Sequence, residues 1–435
     1  MYPKKELAQI IIAACHQFEI QTIVISPGSR NAPLTIGFSN HQDFEALSIV
    51  DERCAAFFAL GIAQQSQRPV ALVCTSGSAM LNYYPAIAEA FYSQIPLVVI
   101  SADRPSHLID IGDGQTIRQE NVFENHILFS ANLKENDSDT NSVKLSKAFS
   151  LLHNVKGPIH INAPFDEPLY ETVKTMKDFS FKIEKPNLET GVDYNDLAQI
   201  WNSAAKKIIL VGVHYPNAAL EILLDKVADD PSVLVLTETT SNLNNKRFIN
   251  SIDNLIFNLT KEEFTSLQPD ILLTFGGLIV SKKIKKFLRE YSPTEHWHIN
   301  ELRAFDTYHV LSKHIKTDSF SFFENFHKLV DFNNNNEYLD VSMKNYSGYL
   351  NSNARYRSGN KKTDVRFVRT IKGIKLVPHS EYEWTKTIRL YNYKKFIKMR
   401  EDWITRDLLN NGVLADDIES AIFYYKEQYN IAEEV

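Results

Sequence analysis

The sequence predicts an α/β protein: two consecutive doubly wound parallel-sheet domains followed by a small, mostly helical C-terminal region. Three observations predict it. Short β-rich runs alternate with helical patterns through residues 1–185 and again through 190–345. Several of the runs are apolar throughout, as in strands buried on both faces of a sheet. Helical stretches of about 10–15 residues separate most of them, the βαβ rhythm of a parallel sheet with helices on both sides.

The N-terminal MYPKKELAQIIIAACHQF is read as an amphipathic first helix. Glu6, Gln9, His16 and Gln17 interrupt its apolar run, which sets it apart from a signal peptide. The strands of the first domain are TIVISPG (22–28), EALSIV (45–50), PVALVCTSG (69–77), PLVVISADR (96–104) and PIHINAP (158–164). A charged segment near 175–190 with Pro186 forms a linker. The second domain contributes KIILVG (207–212), SVLVLTE (232–238), DILLTFG (270–276) and HWHINE (296–301), and the run Asn333–Asn336 is a polar loop or break. From about 352 the rhythm stops. The stretch NARYRSGNKKTDVRFVRTIKGIK is basic and poor in apolar runs. Beyond it Tyr393, Phe396, Ile397, Ile404 and Leu408 share one helical face, and Asp416 or Asp417 caps a second helix carrying Ile418, Ile422 and Tyr429.

Composition narrows the function classes. The 435 residues are 44% hydrophobic and 23% charged, enough apolar material for more than one core. A net charge of −6 favours solubility and argues against nucleic-acid binding by the whole chain. The basic stretch 355–400 carries no zinc spacing and reads as a solvated helix face. Three cysteines make no disulfide framework, and Cys15, Cys54 and Cys74 are expected as buried, reduced thiols. No apolar stretch reaches the roughly 20 residues of a bilayer span. No membrane partner and a cytoplasmic location are expected.

Ligands on parallel sheets bind beyond the carboxyl ends of the strands, and the polar turns of the first domain fall there. Ser26-Pro27-Gly28-Ser29-Arg30 presents a hydroxyl and a guanidinium able to grip a carboxylate with two parallel hydrogen bonds. The simpler alternative is a strand-to-helix turn in which Ser caps and Arg makes a surface salt bridge. Asp51-Glu52-Arg53 opens a helix with a small-residue face of Ala55, Ala56, Ala59 and Gly61. Helix capping explains acidic residues there, and a carboxylate held against a ring nitrogen is the chemical alternative. The turn Cys74-Thr75-Ser76-Gly77-Ser78, with Asn82-Tyr83-Tyr84-Pro85 after it, lets backbone approach a ligand closely. Ser101-Ala102-Asp103-Arg104-Pro105 and the loop Gly114-Gln115-Thr116-Ile117-Arg118-Gln119 complete the set.

This ordered series resembles the pyrimidine-binding domain of the thiamine-diphosphate-dependent carboxylate synthases of menaquinone biosynthesis. PFDEPLY (164–170) is similar to the end of that domain. The resemblance covers residues 1–175 well and the middle unit less closely, where Gly276-Gly277 and Ser281-Lys282-Lys283 resemble a basic substrate-facing segment; a solvated helix start is the alternative for those lysines. The resemblance implies that Glu52 is catalytic, contacting the aminopyrimidine ring of thiamine diphosphate with Thr75, Ser76 and Gly77 beside the cofactor. It implies that Arg30 and Arg104 bind the carboxylates of 2-oxoglutarate and isochorismate, with Ser29, Gln115, Lys282 and Lys283 as further substrate contacts. The cofactor supplies the carbanion chemistry and the protein position and electrostatics.

The family also uses a third α/β domain, whose Gly-Asp-Gly turn and Asn-containing segment hold Mg2+ and the diphosphate. Residues 352–435 are unlike that domain, and Gly112-Asp113-Gly114 lies in a loop of the first domain rather than after a strand. No metal ligand is therefore assigned. The chain alone is expected to bind the cofactor weakly and to act as a homo-oligomer or with a partner chain supplying the diphosphate domain. Truncation, a non-catalytic remnant, a split enzyme and another thiamine-diphosphate enzyme of the acetolactate-synthase type stay open as alternatives.

Overall fold

The structure is a computed structural model and describes residues 1–182, 191–256, 259–331 and 338. The chain divides into two compact units, Met1–Thr190 and Gly191–Val435.

The first unit runs β1 (Tyr2–Pro3), α1 (Glu6–Gln17), β2 (Thr22–Ile25), α2 (Ala32–Asn40), β3 (Glu45–Ser48), α3 (Glu52–Ser66), β4 (Val70–Cys74), α4 (Tyr84–Ser93), β5 (Leu97–Asp103), β6 (Ser130–Asn132), α5 (Ser138–Val155), β7 (Ile159–Pro164) and β8 (Thr172–Val173). Six strands form one parallel sheet in the order β3-β2-β4-β5-β7-β6. β1 and β8 pair antiparallel as a separate clip. β4 and β5 sit centrally and are buried at every position. Alternate strand residues serve opposite cores. Ile23, Val73 and Ile100 pack with α1, α2 and α5, while Val24, Leu72 and Val99 pack with α3 and α4. Each fully buried aliphatic side chain contributes ~1.5–3 kcal/mol. Ala55, Ala56, Ala59 and Ala63 give α3 a small inner face against β4.

The second unit runs α6 (Tyr194–Ser203), β9 (Lys207–Val211), α7 (Ala218–Val227), β10 (Val233–Thr237), α8 (Ile252–Leu255), α9 (Lys261–Leu267), β11 (Ile271–Phe275), α10 (Lys282–Glu290), β12 (Glu295–Ile299), β13 (Leu311–Ile315) and α11 (Ser319–Phe326). Its five strands are parallel in the order β10-β9-β11-β12-β13. Trp201, Trp297 and Phe323 fill the core on one face, and Leu210, Leu272 and Phe287 the core on the other. The fold class is thus the doubly wound α/β class that the apolar runs predict.

Several local expectations are corrected. Cys54 is exposed, because it points away from the alanine face of α3; Cys15 and Cys74 are buried. Gly61 also leaves that face, and a Cβ added there would meet nothing. β3 is an edge strand with Glu45 and Ser48 exposed, so it is not buried on both faces. α1 is buried around most of its circumference rather than along one stripe, and even Gln9 lies inside, donating to Pro3 O at 2.8 Å. β6 and β13 are strands beyond the apolar runs. No described helix is long and apolar enough to cross a membrane. The linker residues 183–190, Asn333–Asn336 and the predicted helices of 352–435 lie outside the described residues.

Candidate active site

β2, β4 and β5 end side by side, in register at Ile25↔Val73 and Cys74↔Ser101. Beyond β2 the chain turns tightly. Ser26 N–H donates to Val73 O at 2.8 Å and its hydroxyl to Ile49 O at 3.0 Å, tying this turn to the entry of α3. Asn31 closes the turn from inside, accepting from Gly28 N–H at 2.8 Å and donating to Ser26 O at 2.9 Å. A Cβ on Gly28 would stand 2.5 Å from Thr75 Cβ, so this turn needs glycine to lie against the β4 turn. Asn31, and not Ser29, holds the N-cap position of α2, and Ser29 is exposed.

Arg30 is not a surface residue. Its side chain is 7% exposed; Nη1 donates to Phe165 O at 2.8 Å and Nη2 faces Glu167 at 3.4 Å. Arg104 donates from Nη2 to Gly114 O at 3.3 Å, with Asp113 at 3.9 Å from Nη1. Both Nε atoms are buried without a hydrogen-bond partner. Burial, and next the charge of Arg104, lower the Arg30 pKa; Glu167, Asp166 and Asp113 oppose this. Two partly desolvated cations therefore face one region, an arrangement that an anion relieves.

Asp51 caps α3 by accepting from Cys54 N–H at 2.8 Å, and that bond lowers its pKa. Capping thus accounts for Asp51 and leaves Glu52 half-buried, with no hydrogen bond to its carboxylate among the described residues. The charge of Glu52 contributes to raising the Cys74 thiol and the Tyr83 phenol, after the larger effect of burial, so the carboxylate lies toward the end of β4. Past β4, the Ser76 hydroxyl is buried without a partner. Gly77 has φ +84°, and a Cβ there would stand 3.0 Å from Gln115 O.

The structure thus gathers Arg30, Arg104, Thr75, Ser76, Gly77 and Gln115 on one edge of the first sheet, with Ser29 in the same turn and Glu52 opening the neighbouring helix. Lys282 and Lys283 belong to the second unit. They are exposed in the first turn of α10, behind the Ser281 cap. Arg118 is exposed and pairs with Asp110 at 2.8 Å.

Sequence reasoning missed the side chain that joins these turns. Gln119 is 1% exposed. Its Oε1 accepts from Gly77 N–H at 2.7 Å, and its Nε2 donates to Asn162 Oδ1 at 2.9 Å and Ala102 O at 3.1 Å. The Gly77 donor fixes which end is oxygen. Asn162 continues to Asp103 at 2.8 Å and accepts from the Ser101 hydroxyl at 2.9 Å, which in turn meets His160 Nε2 at 2.7 Å. Burial pushes His160 down to about 3 and raises the Asp103 carboxyl. The visible signal was polar: His160 and Asn162 interrupt an otherwise apolar strand.

Among the described residues, no group of three or more His, Cys, Asp or Glu at this edge is spaced to hold a metal ion. The Asp113 carboxylate of Gly112-Asp113-Gly114 faces Arg104.

Residues 5–128 match the N-terminal TPP binding domain of the thiamine pyrophosphate enzymes, so the first unit carries a domain of that description. The chain is also similar to curated proteins named 2-succinyl-5-enolpyruvyl-6-hydroxy-3-cyclohexene-1-carboxylate synthase. It is 57% identical over 332 residues to that of Flavobacterium johnsoniae, covering 75% of this chain and 59% of the relative. It is 58% identical over 330 residues to that of Flavobacterium psychrophilum (75% and 60%) and 54% identical over 338 residues to that of Christiangramia forsetii (72% and 59%). The chain spans about three fifths of the length of these relatives.

Proposed function

We propose that the chain forms the pyrimidine-binding and substrate-carboxylate half of a thiamine-diphosphate-dependent transferase that decarboxylates 2-oxoglutarate and joins its succinyl-semialdehyde unit to isochorismate in menaquinone biosynthesis. One observation carries the reading: Arg30 and Arg104 lie close enough for the charge of one to lower the pKa of the other, each with a buried, unpartnered Nε, at the edge that Glu52 flanks. Two substrates rich in carboxylates suit such an edge. Arginines at both turns also weigh against an acetolactate-synthase type of acceptor.

The residues present fit the pyrimidine end of the cofactor. Glu52 has no structural task among the described residues and is placed to hold a proton shared with a ring nitrogen. Gly77 without a Cβ and the unpartnered Ser76 hydroxyl leave a small polar cradle beside it, with Thr75 alongside. When bound, the cofactor supplies the carbanion chemistry. Arg30 and Arg104 then hold and orient carboxylates, with Ser29 and Gln115 completing the grip. The described residues offer no comparable site for Mg2+ and diphosphate. The diphosphate site is assigned to a partner chain. The outer face of α3 supports such pairing, because Phe57 and Phe58 there are 46% and 49% exposed. A cytoplasmic location follows from this reading.

The test is turnover of isochorismate and 2-oxoglutarate by the purified chain with thiamine diphosphate and Mg2+. It is run alone and with the C-terminal part of the Flavobacterium johnsoniae relative supplied as a separate polypeptide. Glu52→Gln is expected to lower turnover at least ~100-fold with the fold intact. Near-normal activity in that variant rejects the assignment. No turnover in either preparation favours the non-catalytic remnant.

A further inference from the structure

At the opposite edge of the first sheet, three side chains converge that the proposed chemistry does not use. His16 lies in the last turn of α1, His41 follows α2, and Asp43 lies in the turn into β3. Asp43 Oδ2 is 3.0 Å from His16 Nε2 and 3.8 Å from His41 Nδ1. The three atoms all lie within 4.8 Å of one another. A tetrahedral ion bonded at about 2.1 Å holds neighbouring ligand atoms about 3.4 Å apart. The two measured separations bracket that value, and rotation of the half-exposed His16 ring adjusts the third.

His41 is preset. Its side chain is 13% exposed, and its ring packs against Phe44 and Tyr2 at centroid distances of 4.9 and 6.1 Å. The Asp43 N–H donates to Nδ1 at 3.4 Å, so that nitrogen carries no proton, and an ion bound at Nδ1 takes the place of this long hydrogen bond. A surface ion pair needs one imidazole. Two imidazoles sharing one carboxylate make a ligand set. The cluster opens on a cavity of about 1260 Å³ that Gln21, Arg68 and Lys177 also line. Gln21 and Arg68 precede β2 and β4, which places the cavity at the amino ends of the strands.

We infer that His16, His41 and Asp43 bind a divalent transition-metal ion of the zinc class, with a remaining coordination position facing the cavity. Two nitrogen ligands and one carboxylate suit zinc or cobalt and disfavour Mg2+ and Ca2+, which take oxygen ligands. The ion cross-links the end of α1 to the entry of β3.

The test uses the full chain after chelation and dialysis, titrated with Co2+ and followed by its visible d–d bands, with Zn2+ as competitor. One ion per chain is expected, displaced by Zn2+ and accompanied by a rise in Tm. His16→Ala, His41→Ala and Asp43→Asn are each expected to weaken binding by at least ~10–100-fold. Cys54→Ser should bind like the unaltered chain, excluding the exposed thiol. His16 and Asp43 are half-exposed, so their variants keep the core, which far-UV circular dichroism verifies. Absence of Co2+ binding at about 100 μM, weaker than a built site allows, overturns the inference. So does binding that His16→Ala and Asp43→Asn leave unchanged.

Discussion

Removing the Gln119 side chain is expected to loosen the turn after β4 and its ties to β5 and β7 at once. Gln119→Ala leaves Gly77 N–H, Ala102 O and Asn162 Oδ1 each without a bond now measured at 2.7, 3.1 and 2.9 Å. A buried polar group left unpaired costs about 1–3 kcal/mol. Asn162 Oδ1 keeps its bond from Ser101, and the vacated space is large enough for a water to re-pair part of the rest. The net loss is therefore placed at about 3 kcal/mol. Tryptophan fluorescence is blind to it, because the four tryptophans, at 201, 297, 384 and 403, all lie outside the first unit. Peptide-resolved hydrogen exchange reads it directly. Local opening around 75–80 is expected to quicken by about 100-fold, while peptides over β10 stay unchanged. Gln119→Glu should do no better, since it keeps the acceptor for Gly77 but turns an oxygen toward Ala102 O. Exchange within about threefold of the unaltered chain, less than ~1 kcal/mol, would refute the claim that this side chain fastens the edge.

Gly77→Ala is expected to cost about 1–3 kcal/mol, from a φ of +84° and a Cβ 3.0 Å from Gln115 O. Gly114→Ala, whose Cβ meets nothing, serves as the neutral control in the same exchange measurement. His160 is neutral when folded, with its pKa pushed by burial from 6.5 to about 3. The unfolded chain takes up that proton first, so the contribution is intact above pH 6.5 and is lost as pH falls toward about 3. The slope is about 1.4 kcal/mol per pH unit. Urea unfolding followed by far-UV circular dichroism between pH 7 and 4 should show it, and His160→Gln should flatten it by one proton.

The sheets were legible where burial is two-sided. β4, β5, β9 and β11 are written as continuous apolar runs because both faces carry helices. β6 lies at a sheet edge and offers only Ser130, Ala131 and Asn132. No periodicity argument finds three residues of that kind. β13, with Leu311, Lys313 and His314, is another edge strand with a mixed pattern. The turns carrying Arg30, Glu52, Gly77 and Arg104 were legible because each directly follows a readable strand. Gln119 was not, since its partners lie 17 to 43 residues away and only the folded sheet brings them together. Cys54 and Gly61 were misplaced for a related reason: small residues fit either side of a helix, and only the alanines chose the inner one. The His16–His41–Asp43 cluster was invisible because two separate helix ends assemble it.

The division of labour at the start of α3 reaches beyond the molecule. Asp51 terminates the helix backbone, and an allele that removes its oxygen acceptor sacrifices about 1 kcal/mol. That lowers how much folded protein a cell retains. An allele at Glu52 breaks no bond that the described residues make, so its product should escape proteolysis and accumulate in full. Immunoblots would separate the two lesions: a thin band for the first, a normal band for the second. A strain with the second lesion would carry a complete complement of polypeptide still able to occupy any partner. Two adjacent acidic codons would therefore give different genetic signatures, one of scarcity and one of competition.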